Sequence, residues 1–243
     1  MENKLTDYIL HLADTTLILA QRNAEWCGHG PILEQDIAIT NISLDLIGQS
    51  RNFYQYAATL IGGDIDEDKL AYLRKEGEFK NLLLVEQPNG DWGQTILRQY
   101  LFSQFQYLLF EQLQNSSDKQ LAAITTKALK EIKYHVRWSS EWVIRLGDGT
   151  EESKNRMLKA IDELWRYTGE MCVPATYETI IDLTQLNNIW LQKVQVVFEE
   201  ATLELPGNIF MQTGGKEGVH TEHLGYILTE LQYLQRAYPN SKW

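Results

Sequence analysis

The chain has 243 residues, a net charge of −11 and five prolines. A chain of this length can bury enough surface to fold without disulfide or metal staples. Its 44% hydrophobic and 23% charged residues are typical of a globular protein rather than a disordered one. The acidic balance argues against a protein that binds nucleic acid through the phosphate backbone.

Turn-forming residues divide the chain into long helical segments. Apolar residues at helical spacing predict a first helix over 5–25. Pro31 is well placed to begin a second helix, which runs to about Ile61 and stops at the following glycines. Further helices are predicted over 67–76, 92–114, 119–146 and 151–171, with one or two between 174 and 203. A loop is predicted over 206–219, and the last helix carries Leu224, Ile227, Leu231, Leu234 and Tyr238.

The fold class follows from this pattern. No run of alternating polar and apolar residues is long enough to predict a strand, and no internal repeat divides the sequence. We therefore predict an all-α fold, a long-helix bundle that forms a single domain over 1–243.

Three features of the sequence bear on the compartment. The N-terminal residues lack the basic-then-apolar pattern of a signal peptide. No apolar run approaches the roughly 18 residues that a membrane-spanning helix needs. Cys27 and Cys172 are far apart and form no CxxC motif, which is typical of free thiols in a reducing cytosol. The prediction is a cytoplasmic protein with no membrane partner.

A bundle of long helices raises the hypothesis of a carboxylate-bridged di-iron site. Such sites take a Glu from each of two helices and a Glu-x-x-His from each of two others. Between Trp92 and Phe110 there is no Asp, Glu or His, and Asp162 and Glu163 have no His three residues later. The one literal Glu-x-x-His, at 217–220, lies in a glycine-rich loop. At least two helices therefore lack ligands, and we predict no metal site in this chain.

Two other helices retain some suitable side chains. The second predicted helix has a narrow polar stripe, which faces either solvent, a partner or a polar cavity: Glu34, Asn41, Asp45, Gln49 and Asn52. Asp45 is its best ligand candidate. His135 lies in the middle of an apolar face over 119–146, with Glu131 one turn before it. The histidine is a hydrogen-bonded core residue, a metal ligand or part of a lost site, and the spacing leaves these interpretations open.

A glycine-rich segment suggests a different chemistry. Gly214, Gly215 and Lys216 precede the last helix, where backbone N–H groups and a lysine could cradle an anion. The segment lacks the P-loop spacing and a preceding strand. It is therefore either a phosphate-binding loop or a plain flexible one.

Three blocks of sequence resemble a known family. They are residues 25–52, with Glu-Trp-Cys-Gly-His-Gly-Pro at the start; residues 81–90, Asn-Leu-Leu-Leu-Val-Glu-Gln-Pro-Asn-Gly; and residues 213–225, with Thr-Gly-Gly-Lys and His-Thr-Glu-His-Leu-Gly. Together they resemble the PaaC-type subunits of ring-1,2-phenylacetyl-CoA epoxidases, the bacterial multicomponent monooxygenases of aerobic phenylacetate breakdown. The resemblance implies a ferritin-like bundle and a structural role for this subunit. It further implies that a homologous catalytic subunit holds the iron and that a reductase delivers electrons from NADPH.

The resemblance and the residue pattern lead to one expectation and two alternatives. We expect a non-catalytic subunit that scaffolds the homologous di-iron subunit, with other oxygenase subunits and a possible homodimer as partners. No cofactor is expected in this chain, and Asp45, Glu131 and His135 would form a remnant polar core. The alternatives are an independent di-iron oxygenase with atypical ligands, and a CoA-ester binding module that uses the Lys216 loop.

Overall fold

The computed structural model describes residues 2–239 and 241, and within them every regular element is helical, which confirms the all-α prediction. The α-helices are α1 (Glu2–Ala24), α2 (Leu33–Ile61), α3 (Glu67–Tyr72), α4 (Leu83–Glu86), α5 (Trp92–Leu113), α6 (Lys119–Gly147), α7 (Glu151–Leu164), α8 (Leu183–Glu200) and α9 (Glu222–Ala237). Short 3-10 turns cover Glu76–Glu78, Trp165–Tyr167, Gly169–Cys172 and Gly215–Glu217. In the part of the chain so described, no helix is both long and apolar enough to span a bilayer.

Side-chain caps fix where five of these helices begin. Each capping oxygen accepts a hydrogen bond from a backbone N–H of the first turn, which would otherwise have no partner in the helix. The caps of α3, α5, α6, α7 and α8 are Asp66, Asp91, Asp118, Thr150 and Asp182. The predicted starts of α3, α5, α6 and α7 coincide with the observed ones, whereas α8 begins only at Leu183, well after the predicted start at 174.

Two predicted helices end earlier than their patterns suggest. The segment predicted over 67–76 is helical only to Tyr72. Beyond this end, the Arg74 side chain donates from Nε to the carbonyl of Leu70 at 2.6 Å, so that a side chain satisfies a carbonyl of the last turn. The segment predicted over 151–171 leaves the α-helix after Leu164 and continues as two 3-10 turns. There the Thr168 hydroxyl donates to the Trp165 carbonyl at 2.8 Å, which stabilises the tighter turn.

The described residues fall into two compact units. The first takes the described parts of 1–88, 175–178 and 214–243, and in it α1 packs along α2 and also contacts α4 and α9. The second takes 89–174 and 179–213, and in it α5 packs against α6, α7 and α8. The single domain over 1–243 stays a prediction.

Helix α5 is the central helix of the second unit and is buried on nearly all sides. Its buried residues include six polar ones: Thr95, Arg98, Gln99, Ser103, Gln104 and Gln106. The Gln99 amide donates to the Ser103 hydroxyl at 2.7 Å, and Arg98 donates to the Asn89 side chain at 2.5 Å. Internal hydrogen bonds of this kind compensate the cost of taking polar groups out of water.

Candidate functional site

The first unit contains three buried ionic clusters, and Asp14 of α1 is the centre of one. Its carboxylate is fully buried and accepts from the Tyr54 hydroxyl at 2.6 Å, from the Lys80 backbone N–H at 2.8 Å and from both terminal nitrogens of Arg74. The Arg74 guanidinium also lies 4.2 Å from the centre of the Phe79 ring. Four donors on one carboxylate keep the charge solvated inside the protein.

The electrostatics of this cluster favour the charged form of Arg74. Burial by itself disfavours the guanidinium, but the Asp14 charge and the Tyr54 hydroxyl raise the pKa of Arg74 above its ordinary value. Burial and the neighbouring Asp14 carboxylate also raise the pKa of Tyr54, so that its phenol remains a proton donor.

The second cluster joins α1 to segments far along the chain. The Lys216 ammonium contacts Glu178 Oε2 at 2.7 Å, and both side chains are less than 5% exposed. On the other side of Glu178, His11 Nε2 lies 3.7 Å from Oε1, while His11 Nδ1 bonds to the Lys80 carbonyl at 2.7 Å. Burial is the main cause that lowers the pKa of His11, and the nearby Glu178 charge offsets it only in part.

The third cluster joins α4 to the start of α9 through Glu86. Its carboxylate accepts from the Thr221 N–H at 2.6 Å, the Thr221 hydroxyl at 2.7 Å, the Asn81 amide at 2.9 Å and His220 Nδ1 at 3.0 Å. His220 Nε2 faces the Phe79 carbonyl at 2.9 Å. Because both ring nitrogens face oxygen acceptors, the doubly protonated imidazolium fits this position best.

The contacts of His220 predict how the stability of the fold depends on pH. Burial would lower the pKa of His220, but the hydrogen bond and charge of Glu86 raise it above the ordinary value. A group whose pKa is raised by folding contributes stability that is full below its unfolded pKa of about 6.5 and is lost as the pH rises through its folded pKa.

We expect the stability advantage of the wild type over His220→Gln, measured by urea denaturation, to shrink from about pH 6 upwards. A stability advantage that grows with pH would contradict the raised pKa of His220. Because His11 is present in both proteins, its opposite contribution cancels in the difference between their free energies of unfolding.

Gly215 allows the loop before α9 to approach the second family-like block closely. A Cβ at this position would lie 2.3 Å from the Asn81 carbonyl oxygen and 3.1 Å from the Leu83 nitrogen.

Gly215→Ala is therefore expected to destabilise the protein by about 1–3 kcal/mol in urea denaturation. Gly48→Ala is the matched control, because Gly48 lies within α2 with open space around it. This control is expected to stabilise by about 0.5–1 kcal/mol, and the same gain for Gly215→Ala would refute the close approach.

The candidates chosen from the sequence lie elsewhere. Asp45 is half-buried on α2 in the first unit. His135 is fully buried and Glu131 half-buried on α6, and both belong to the second unit. Within residues 2–239 and 241, no group of three or more His, Cys, Asp and Glu side chains is arranged to hold a metal ion. The remnant-site interpretation of these three residues stays a prediction.

The structure puts the lysine of the proposed anion loop inside the first unit. Lys216 is buried against Glu178, and its backbone carbonyl accepts from the Tyr177 hydroxyl at 2.8 Å. Gly214 and Gly215 lead into the 3-10 turn that holds Lys216 there. Because a carboxylate of the same chain already neutralises this ammonium, the geometry does not favour anion binding, which stays a prediction.

Sequence reasoning missed the residues that form the three clusters. Asp14 lies between Leu10 and Ile18 on α1, and a charged residue at this spacing within an apolar face is a detectable signal. Glu86 follows an apolar run, which is a weaker signal of the same kind. Periodicity does not reveal their charged or distant partners, because Arg74 lies 60 residues after Asp14 and Thr221 lies 135 residues after Glu86.

The clusters tie together residues from the second and third blocks on which the family resemblance rests. A family model described as phenylacetic acid catabolic protein matches residues 1–243. A subunit of the 1,2-phenylacetyl-CoA epoxidase of Escherichia coli strain K12 is 50% identical over 248 residues, which cover 99% of this chain and 100% of that protein. The chain therefore belongs to the PaaA_PaaC family of phenylacetic acid catabolic proteins.

Proposed function

We propose that this chain is the non-catalytic structural subunit of a bacterial cytoplasmic oxygenase that epoxidises the ring of phenylacetyl-CoA. In that role it scaffolds a homologous catalytic subunit, which holds the di-iron centre. The name of the E. coli relative, which is a component of 1,2-phenylacetyl-CoA epoxidase, supports the reaction and the membership in a complex. The ferritin-like character of the bundle belongs to the same proposal.

Internal pairing of three buried carboxylates of the first unit is the main support for a structural role. A di-iron site needs buried carboxylates directed at a common centre. Asp14, Glu86 and Glu178 are instead directed at Arg74, His220 and Lys216 of the same chain. Since a buried carboxylate with such a partner stabilises one packing arrangement, these residues hold segments of the chain together.

An exposed apolar face on α2 supports the scaffold role. Leu33, Ile37, Leu44 and Ile47 are 70%, 51%, 59% and 42% exposed. Their spacing along the helix places them on one side. Contiguous apolar surface with polar neighbours is typical of protein interfaces, and we propose that this face packs against the homologous catalytic subunit.

Co-purification tests both the scaffold role and the exposed apolar face of α2. The wild-type chain, co-expressed with a tagged homologous di-iron subunit, is expected to co-purify with it and to be required for turnover. Leu44→Lys with Ile47→Lys should weaken this association by at least about tenfold, because two charges replace buried apolar contacts. The matched control is Leu158→Lys with Val196→Lys, at exposed positions of α7 and α8, which should co-purify normally. Turnover without this chain, or no association of the wild type, would make the proposal wrong.

A further inference from the structure

Helix α6 carries positive charge on a chain whose net charge is −11. From Lys119 to Arg137, five residues are basic and one, Glu131, is acidic. The five basic side chains are all exposed: Lys119, Lys127, Lys130, Lys133 and Arg137. This part of the surface therefore has the opposite sign to the protein as a whole.

Helical spacing aligns these charges into a stripe. Lys119, Lys130 and Arg137 are separated by about three and about two turns, so they project from the same side of α6. Lys133 lies one turn before Arg137, beside the same line. The α6 stripe, defined as the five basic residues above, extends for roughly 27 Å along the helix.

Two grooves of the second unit border the α6 stripe and share Lys130. The larger, of about 700 Å³, is lined by residues of α5, α6 and α8, including four cations and one acidic residue: Lys130, Lys133, Arg137, Lys193 and Glu111. The second, of about 600 Å³, follows the first half of α6, where small side chains separate the lysines. Lys193 of α8 thus adds a sixth cation at one end of the stripe.

The length and exposure of the α6 stripe favour a protein partner over a small anion. A small-molecule site encloses its ligand with a few buried polar groups, whereas these cations are exposed and continue over several turns. Opposite charge at a protein interface steers the encounter and fixes orientation, and the acidic remainder of the chain repels an acidic partner elsewhere. We propose that the α6 stripe with Lys193 is the docking surface for an acidic face of another protein.

Binding of an acidic polypeptide by the full-length chain tests this docking surface. The probe is a fluorescein-labelled poly-L-glutamate of about 20 residues, followed by anisotropy at about 50 mM and about 200 mM salt. The wild type is expected to bind, more weakly at the higher salt. Substituting Lys130, Lys133 and Arg137 by Gln should weaken binding about tenfold, the combined effect of three exposed charges. The matched control carries the same change to Gln at Lys75, Lys159 and Arg166, which are also exposed. It should bind the probe as the wild type does.

Several results would overturn the proposal. The first is that the wild type does not bind poly-L-glutamate at the lower salt. The second is that both triple variants lose affinity for the probe equally. The third is that tripolyphosphate or single-stranded DNA binds more tightly than poly-L-glutamate does. Carbodiimide cross-linking of the unsubstituted protein provides a readout that needs no variant. The probe should link to Lys130 and Lys133 rather than to Lys75 and Lys159, and the reverse pattern would also refute the α6 stripe.

Discussion

Glu86→Ala is expected to lower the free energy of unfolding by about 3–5 kcal/mol, because it leaves a buried cation and its neighbouring donors without their acceptor. In the wild type, the Glu86 carboxylate accepts from His220, Asn81 and both donors of Thr221. Urea denaturation at about pH 6, where His220 is protonated, measures the effect.

Glu230→Ala is the matched control for Glu86→Ala. Glu230 is an exposed glutamate on α9, so its removal should leave stability nearly unchanged. A comparably small effect of Glu86→Ala would show that the third cluster does not hold α4 to the start of α9.

Asp14→Ala is expected to have an effect of similar size, and a double-mutant cycle with Arg74→Met isolates its cause. Each single variant leaves one charge of the pair buried without its partner, whereas the double variant removes both charges. The double variant should therefore lose about 1–3 kcal/mol less than the sum of the single losses. The Asp14 carboxylate is completely buried and the Arg74 side chain is 11% exposed, so solvent screens this pair weakly.

The pair formed by Asp64 and Lys69 is the control for this cycle. Their charged atoms lie 2.8 Å apart, but Asp64 is 92% exposed, and exposed pairs contribute little. The same cycle on Asp64→Ala and Lys69→Met should be close to additive. Additivity at Asp14 and Arg74 would contradict the structural role given to the first cluster.

The sequence predicts the helical fold well because helix formation depends on local signals. The periodic apolar residues and turn residues that mark α1, α2, α5 and α6 lie within each segment, and the predicted bounds differ by few residues from those observed. The predicted helix over 151–171 is too long because the apolar stripe continues past Leu164 although the backbone tightens into 3-10 turns. Periodicity reports which side of a segment is buried but not which hydrogen bonds form there.

The buried clusters were predictable only in part. Asp14 breaks an apolar face and could have been singled out, but Arg74, Glu86 and Glu178 meet their partners through tertiary contacts that spacing does not encode. The His135 prediction shows the same limit. The burial of His135 can be predicted from the apolar face of α6, whereas its role cannot.

Metal quantification on separated subunits tests the central claim most directly. The complex is purified from iron-supplemented cells, and this chain and the homologous catalytic subunit are separated and analysed for iron. The structural role predicts that the iron is found with the catalytic subunit and that this chain holds no stoichiometric iron. About two irons in this chain, lost when Asp45 or Glu131 is substituted by Ala, would instead identify it as a di-iron oxygenase with atypical ligands.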